Sequence, residues 1–367
     1  MARSSRVALA MVQTGVGRLE PRELPLPAIG ADDALLRVEA CGICGSDVES
    51  FQGVLKVPLP LIPGHEPLGV IDAIGDRAAQ RWGVQVGDRV AVETLLPCNT
   101  CRRCRSGAYQ LCASRRIYSY IPLAEAPGLW GAYAEYLYLA PNAIVHKVDP
   151  TLPAEIAVLF NPLGAGFRWA AEMPRTQPGD TVLVMGPGQR GLASVIACRE
   201  VGAGTIIVTG LSRDAHKRAL AREFCADHTI DVERETVVKR VREITHGRGV
   251  DVVIDVTPVA TQPIVDAIDC ATLGGTVILA GVKGMKPVAD FVSDKVVLKE
   301  ITLRGAIGVT WEHYERAIRL IESRRLPLGK LQTHRFGLRD AERAVRTLAG
   351  EFEGEEAVHC VLLPEKS

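Results

Sequence analysis

The chain has 367 residues, with 43 Lys+Arg against 43 Asp+Glu, so its formal net charge is zero. That balance excludes a general electrostatic grip on nucleic acid or on anionic membrane. A composition of 47% apolar and 23% charged residues is that of a globular chain of about two domains rather than a disordered one.

At the N-terminus, the apolar stretch 7–12 is shorter than the core of a secretion signal, and no small-residue cleavage site follows it. No run approaches the roughly 18 apolar residues of a membrane span. A soluble, cytoplasmic protein is expected. Up to residue 150, the runs 34–40, 68–74 and 89–93 are short and apolar-leaning, and Pro and Gly punctuate them at the spacing of barrels and sandwiches. After Pro150 the pattern changes. Apolar strands over 180–185, 205–208, 250–256 and 276–280 alternate with helical stretches over 192–201, 215–224, 235–245 and 261–270. Such alternation predicts a parallel sheet covered on both faces. Helices over 311–323 and 340–349 and a strand over 357–363 complete the chain.

The strand over 180–185 runs into Gly186-Pro-Gly188-Gln189-Arg190-Gly191, a G-x-G-x-x-G that opens a helix. One glycine makes the tight turn, one admits a pyrophosphate to the backbone, and one lets helix pack on strand. The helix N-terminus then offers free N–H groups to the phosphates. At the end of the next strand, where an acid would hold the ribose hydroxyls of NAD, the sequence reads Gly210-Leu-Ser212-Arg213-Asp214. A Gly that makes room and an Arg that pairs with phosphate favour NADP, while Asp214 is close enough to return NAD to consideration.

There are ten cysteines. Cys98, Cys101, Cys104 and Cys112 have the spacing of a closed four-thiolate Zn²⁺ site, which is structural rather than catalytic. Cys198, Cys225, Cys270 and Cys360 lie in apolar surroundings and are expected in the core. A second constellation is Cys41-Gly-Ile-Cys44-Gly-Ser46-Asp47, followed by Gly64-His65-Glu66. Thiolate, imidazole and carboxylate suit Zn²⁺, Asp47 suits the second nitrogen of His65, and Ser46 supplies a hydroxyl able to pass a proton. Phe51, Trp130 and Phe160 are candidate walls of an apolar pocket, with ordinary core packing as the alternative.

Taken together, these residues resemble the zinc-dependent medium-chain alcohol dehydrogenases over nearly the whole chain. The most specific piece is Gly64-His-Glu66-x-x-Gly69-x5-Gly75-x2-Ala78, supported by the four-cysteine spacing and by Val86-Gly-Asp-Arg-Val90 and Pro178-Gly-Asp-Thr-Val182. The resemblance implies an α/β chain with a GroES-like β-rich catalytic domain over 1–155 and 306–367, carrying a zinc lobe over 97–113. It also implies a Rossmann doubly wound parallel-sheet cofactor domain over 156–305, and a homodimer or homotetramer.

By the same resemblance, Cys44 and His65 are catalytic zinc ligands, Glu66 is either a ligand or the neighbouring carboxylate that exchanges with it, Ser46 takes the substrate's proton, and Asp47 orients His65. Gly186, Gly188 and Gly191 hold the pyrophosphate, and Thr257 with Gly281 and Val282 rims the nicotinamide pocket. Two positions depart from the family pattern. Asn161 stands where a third zinc ligand is usual, and Glu49 stands where many members carry the His that ends the proton relay. The segment Arg304-Gly-Ala-Ile-Gly308 lacks the Arg that polyol-oxidising members place after its first Gly, which argues against a sorbitol-like substrate. The expected activity is reversible oxidation of a small-molecule alcohol to an aldehyde or ketone with NAD(P), leaning to NADP. The alternative, raised by Asn161, is a reductase of C=C or quinone substrates that needs no catalytic zinc.

Overall fold

The computed structural model describes residues 6–364. Two compact units divide the chain, one formed by residues 1–161 with 310–367 and the other by 162–309.

The second unit is built on a parallel sheet of six strands among the described residues. In spatial order these are His228–Asp231, Thr205–Gly210, Thr181–Met185, Val250–Asp255, Ala271–Leu279 and Thr302–Gly305. Numbered along the chain the order is 3-2-1-4-5-6, the doubly wound arrangement of dinucleotide-binding sheets. The central strand Thr181–Met185 is buried at every position, as a strand covered on both faces must be. Leu183, Met185, Ile207, Ile230, Val253 and Val277 contribute to one core with helices Val237–Ile244 and Gln262–Cys270. The two outer strands are absent from the sequence reading. His228–Asp231 buries only Ile230 fully, and Thr302–Gly305 is exposed at all four residues. Neither shows the continuous apolar run that marks the inner strands.

The first unit centres on a largely antiparallel sheet. Its strands run Gln332–Phe336, His359–Leu362, Ala34–Ile43, Glu66–Ile74, Arg89–Val92 and Val145–Lys147, and Tyr136–Leu139 also pairs with Ala34–Ile43. Cys360 stands opposite Ile43 and Leu362 opposite Cys41, so the end of the chain completes a sheet begun near its start. Val7–Gly15 is a strand in a hairpin with Arg18–Pro25. Ala8, Ala10 and Val12 are fully buried there, which explains an apolar stretch too short to be a signal.

Cys198, Cys270 and Cys360 are buried as expected, but Cys225 is exposed. It follows helix Ala215–Glu223 with φ of +70°, in the turn that ends the helix, where its side chain leaves the apolar face. Phe51 and Trp130 belong to the core of the first unit, and Phe160 is fully buried with its ring 5.5 Å from that of Tyr314. All three are packing residues. Among the described residues, no helix is long and apolar enough to cross a membrane.

Candidate active site

Strands Ala34–Ile43 and Glu66–Ile74 are antiparallel neighbours, with Gly42 opposite Glu66. Cys44 lies just past the end of the first and His65 just before the start of the second, so residues some twenty positions apart in sequence meet at one end of the sheet. The ligand atoms of Cys44, His65 and Glu66 lie within 4.8 Å of one another, and all three residues are buried. Cys44 precedes helix Gly45–Phe51, whose N–H groups favour a thiolate. The Cys44 N–H donates to Asp47 Oδ2 at 2.8 Å, while Asp47 Oδ1 stands 3.3 Å from His65 Nδ1. Ser46 Oγ is 3.3 Å from His65 Nε2. Burial opposes protonation of His65, but Asp47 and Cys44 outweigh it and hold its pKa well above the ordinary value. Thiol, imidazole and carboxylate thus share one buried enclosure, a donor set that suits Zn²⁺. Burial pushes the Glu49 carboxyl up.

Residues without any motif complete this enclosure. Ser119 Oγ is 3.5 Å from His65 Nδ1, and the ring of Tyr120 lies 6.2 Å from that of His65. Glu66 Oε2 is 3.8 Å from Nε2 of the fully buried His359, on the far terminal strand. Gln332 spends its amide N–H groups on the carbonyls of His334 and His359, so its oxygen accepts from His359 Nδ1 at 2.5 Å. Gly42 leaves the space for this pair, since any Cβ there would run into Glu66 Oε2 and come within 3.0 Å of His359 Nε2. Asn161 is buried, and its amide nitrogen donates to Thr94 Oγ1 at 3.2 Å and to Tyr314 OH at 3.4 Å.

The four cysteines form a second cluster. All four sulfurs lie within 4.8 Å, with Cys101–Cys104 at 3.5 Å and Cys98–Cys104 at 3.9 Å. A tetrahedron of thiolates at 2.3 Å from one Zn²⁺ has edges of about 3.8 Å, so the donor set fits that ion. Backbone N–H groups of Cys101, Cys104 and Cys98 already donate to the sulfurs of Cys98, Cys101 and Cys112. Hydrogen bonds from Thr100 hold the Cys98 thiol down at about 5, whereas burial pushes Cys104 up to about 12. A metal ion held there at neutral pH would take the place of the Cys104 proton.

In the second unit, Gly186 takes a φ of +100° at the end of strand Thr181–Met185, and a Cβ on Gly191 would strike the Gly186 carbonyl. These are the turn and the close helix approach that glycine alone permits. Gly188 caps helix Gln189–Glu200, Gln189 is buried, and Arg190 stacks on Trp169 at 5.6 Å. A side chain at Gly210 would meet Pro187 of that turn at 2.7 Å. Ser212 is engaged by Asp231, donating at 2.9 and 3.0 Å, and Asp214 accepts from Leu211 N and Lys217 Nζ. Arg213 is exposed, with no hydrogen bond or ion pair among the described residues. At the carboxyl ends of strands Val250–Asp255 and Ala271–Leu279, Thr257 and Gly281 come into contact, and Val282 O accepts from Val259 N at 3.0 Å. Sequence reading missed the neighbouring Lys283, whose Nζ stands 2.8 Å from the fully buried Asp255 and donates to Thr257 Oγ1 at 2.8 Å.

Residues 30–150 match the alcohol dehydrogenase GroES-like domain, and residues 191–323 match the zinc-binding dehydrogenase domain. A Mycobacterium tuberculosis protein named "Probable alcohol dehydrogenase adh" is 47% identical over 98% of this chain and 99% of its own. The erythritol/L-threitol dehydrogenase of Mycolicibacterium smegmatis is 33% identical over 95% of this chain and 94% of its own. Among solved structures, the alcohol dehydrogenase of Thermotoga maritima superposes with a TM-score of 0.87 at 27% identity, covering 98% of this chain and 99% of that one. A Sinorhizobium meliloti protein of the zinc-binding dehydrogenase type, solved bound to NADP, gives 0.86 at 25% identity over 98% of this chain and 100% of that one. With two domain matches, a relative of this identity and the doubly wound sheet in place, the chain belongs to the zinc-dependent medium-chain dehydrogenase family, as an oxidoreductase of the alcohol dehydrogenase type.

Proposed function

We propose that the protein oxidises a small alcohol reversibly to its aldehyde or ketone, reducing NAD(P)⁺ to NAD(P)H and releasing one proton. The observation that carries this reading is the buried cluster of Cys44, His65 and Glu66, ordered by Asp47 and touched by the Ser46 hydroxyl. A Zn²⁺ held there would supply the Lewis acidity that lowers the pKa of an alcohol hydroxyl, and a nicotinamide held on the glycine turn would accept the hydride. Asp47 fixes the ring of His65 through its Nδ1 side, which leaves Nε2 turned toward Ser46. Ser46 takes the substrate's proton and hands it outward, with Glu49 as the next acceptor. Asn161, whose amide nitrogen donates to Thr94 and Tyr314, is not required in the ligand set of this reading. The test is a panel of alcohols and polyols with each oxidised cofactor, followed by absorbance of the reduced nicotinamide. Turnover of at least one alcohol is expected. Reduction of quinones or enones without turnover of any alcohol would refute the assignment. The relatives' names, including erythritol/L-threitol and sorbitol dehydrogenases, keep polyols in that panel despite the residue after Gly305.

For the cofactor, the exposed Arg213 beside Gly210 supports NADP. Arg213→Ala is expected to weaken NADPH about tenfold by loss of a charge-assisted phosphate contact, with NADH unchanged. Fluorescence titration with both cofactors checks this, and equal effects on the two would remove Arg213 from the role.

For assembly, we propose that a second copy of the chain pairs along Thr302–Gly305. That strand is an uncovered sheet edge with exposed Leu303, and the preceding helix exposes Val297 and Leu298. Such an edge invites continuation of the sheet. A Leu298→Lys/Leu303→Lys variant is expected to sediment as a monomer, whereas the unaltered protein sediments as a dimer or tetramer. A monomeric unaltered protein would exclude the interface.

A further inference from the structure

One dipeptide, Glu93-Thr94, joins the cysteine lobe to the Cys44/His65/Glu66 cluster through neighbouring side chains. Glu93 is fully buried, and its carboxylate accepts from Tyr109 OH at 2.7 and 3.0 Å. Tyr109 belongs to the cysteine lobe, where it lies between Cys104 and Cys112 in a short turn at Tyr109–Leu111. The lobe segment Asn99–Gln110 is nearly all polar, and the buried Tyr109 sits in the short turn that leads directly into the ligand Cys112. On its other side, Glu93 Oε1 stands 3.0 Å from His146 Nε2, and His146 Nδ1 stands 2.6 Å from Glu315 Oε1.

Thr94 faces the other cluster. Its hydroxyl donates to the main-chain carbonyl of His65 at 2.9 Å and accepts from Asn161 Nδ2 at 3.2 Å. The His65 carbonyl belongs to the peptide joining His65 to Glu66, so Thr94 holds the backbone of two of the three clustered residues. The Glu93 N–H donates to Ile144 O and the Thr94 carbonyl accepts from Tyr118 N, which leaves the dipeptide little freedom to absorb a shift. A displacement of Tyr109 therefore reaches Thr94 through one peptide unit.

We propose that the four-cysteine lobe positions the Cys44/His65/Glu66 site through Tyr109 and the Glu93-Thr94 dipeptide, so that filling the lobe raises the second site's affinity for its metal. The proposal rests on the metal-site reading given above. Tyr109, Glu93 and Thr94 are positioning residues in it. Coupling of this kind is reciprocal and commonly amounts to 5- to 150-fold in affinity, so about tenfold is expected.

The experiment is titration of metal-free full-length protein with Co²⁺, whose visible spectrum separates a four-thiolate site from a mixed-donor one. Tyr109→Phe and Thr94→Val are each expected to weaken the mixed-donor site about tenfold and leave the four-thiolate site unchanged. Because both act on one path, the double variant is expected to lose no more than either single. Thr94→Ser, which keeps the hydroxyl, is expected to retain the affinity. A purely structural role would lower the melting temperature of Tyr109→Phe without moving the mixed-donor affinity measured well below melting. Mixed-donor affinities within twofold of the parent protein in both Tyr109→Phe and Thr94→Val would overturn the proposal. Binding of Co²⁺ only at the four-thiolate site of the unaltered protein would instead overturn the metal-site reading beneath it.

Discussion

His65→Ala is expected to lower kcat/KM for alcohol oxidation by at least about 10³-fold, equivalent to ~4 kcal/mol of lost barrier lowering. His65 is buried between Asp47 and Ser46, with Cys44 and Glu66 inside 4.8 Å, so removing the ring removes a donor and the fixed partner of the Ser46 hydroxyl. Cys44→Ala is expected to behave alike. Both variants should keep the metal of the cysteine lobe, because none of Cys98, Cys101, Cys104 and Cys112 is altered. Ser46→Ala should cost less, about 10²-fold, the scale of a lost proton-transfer group. Full activity of His65→Ala or Cys44→Ala with any alcohol would show that catalysis does not run through this cluster.

The second large effect lies in the other unit. Lys283→Met is expected to destabilise it by ~3–5 kcal/mol, because Asp255 would remain as a fully buried carboxylate without its countercharge. For a unit of this size each kcal/mol shifts the melting temperature by about 2–4 °C, so a drop of roughly 10 °C is expected. Thr257 loses the ammonium that fixes its hydroxyl and its carbonyl, so NADPH affinity should fall as well. Adding Asp255→Asn removes the stranded charge while an amide oxygen can still accept from Thr257 N. The double variant should recover more than half of the lost stability. Calorimetry of the two singles and the double settles this, and strictly additive losses would show that Asp255 and Lys283 do not act as a pair.

What the sequence revealed and what it hid divide along separation in the chain. The cysteine spacing, Gly64-His65-Glu66 and the glycine turn are legible because each packs its chemistry into a few consecutive residues. The inner strands of the doubly wound sheet are legible because burial on both faces forces an apolar run, as in Thr181–Met185. His359 reaching Glu66, Tyr109 reaching Glu93 and Lys283 reaching Asp255 leave no local signature. Their partners lie 293, 16 and 28 residues away, and only the folded chain brings them together. Asn161 stands out in the sequence as a departure from pattern, yet its partners Thr94 and Tyr314 leave no local signature there. Cys225 shows the converse failure, since an apolar neighbourhood in sequence became an exposed helix end once the backbone turned left-handed.

Elemental mass spectrometry of purified, undialysed protein is expected to find two zinc ions per chain, one for Cys44, His65 and Glu66 and one for the four clustered cysteines. A single ion, released only on denaturation and not joined by a second when zinc is added, would show that the Cys44, His65 and Glu66 cluster does not hold metal.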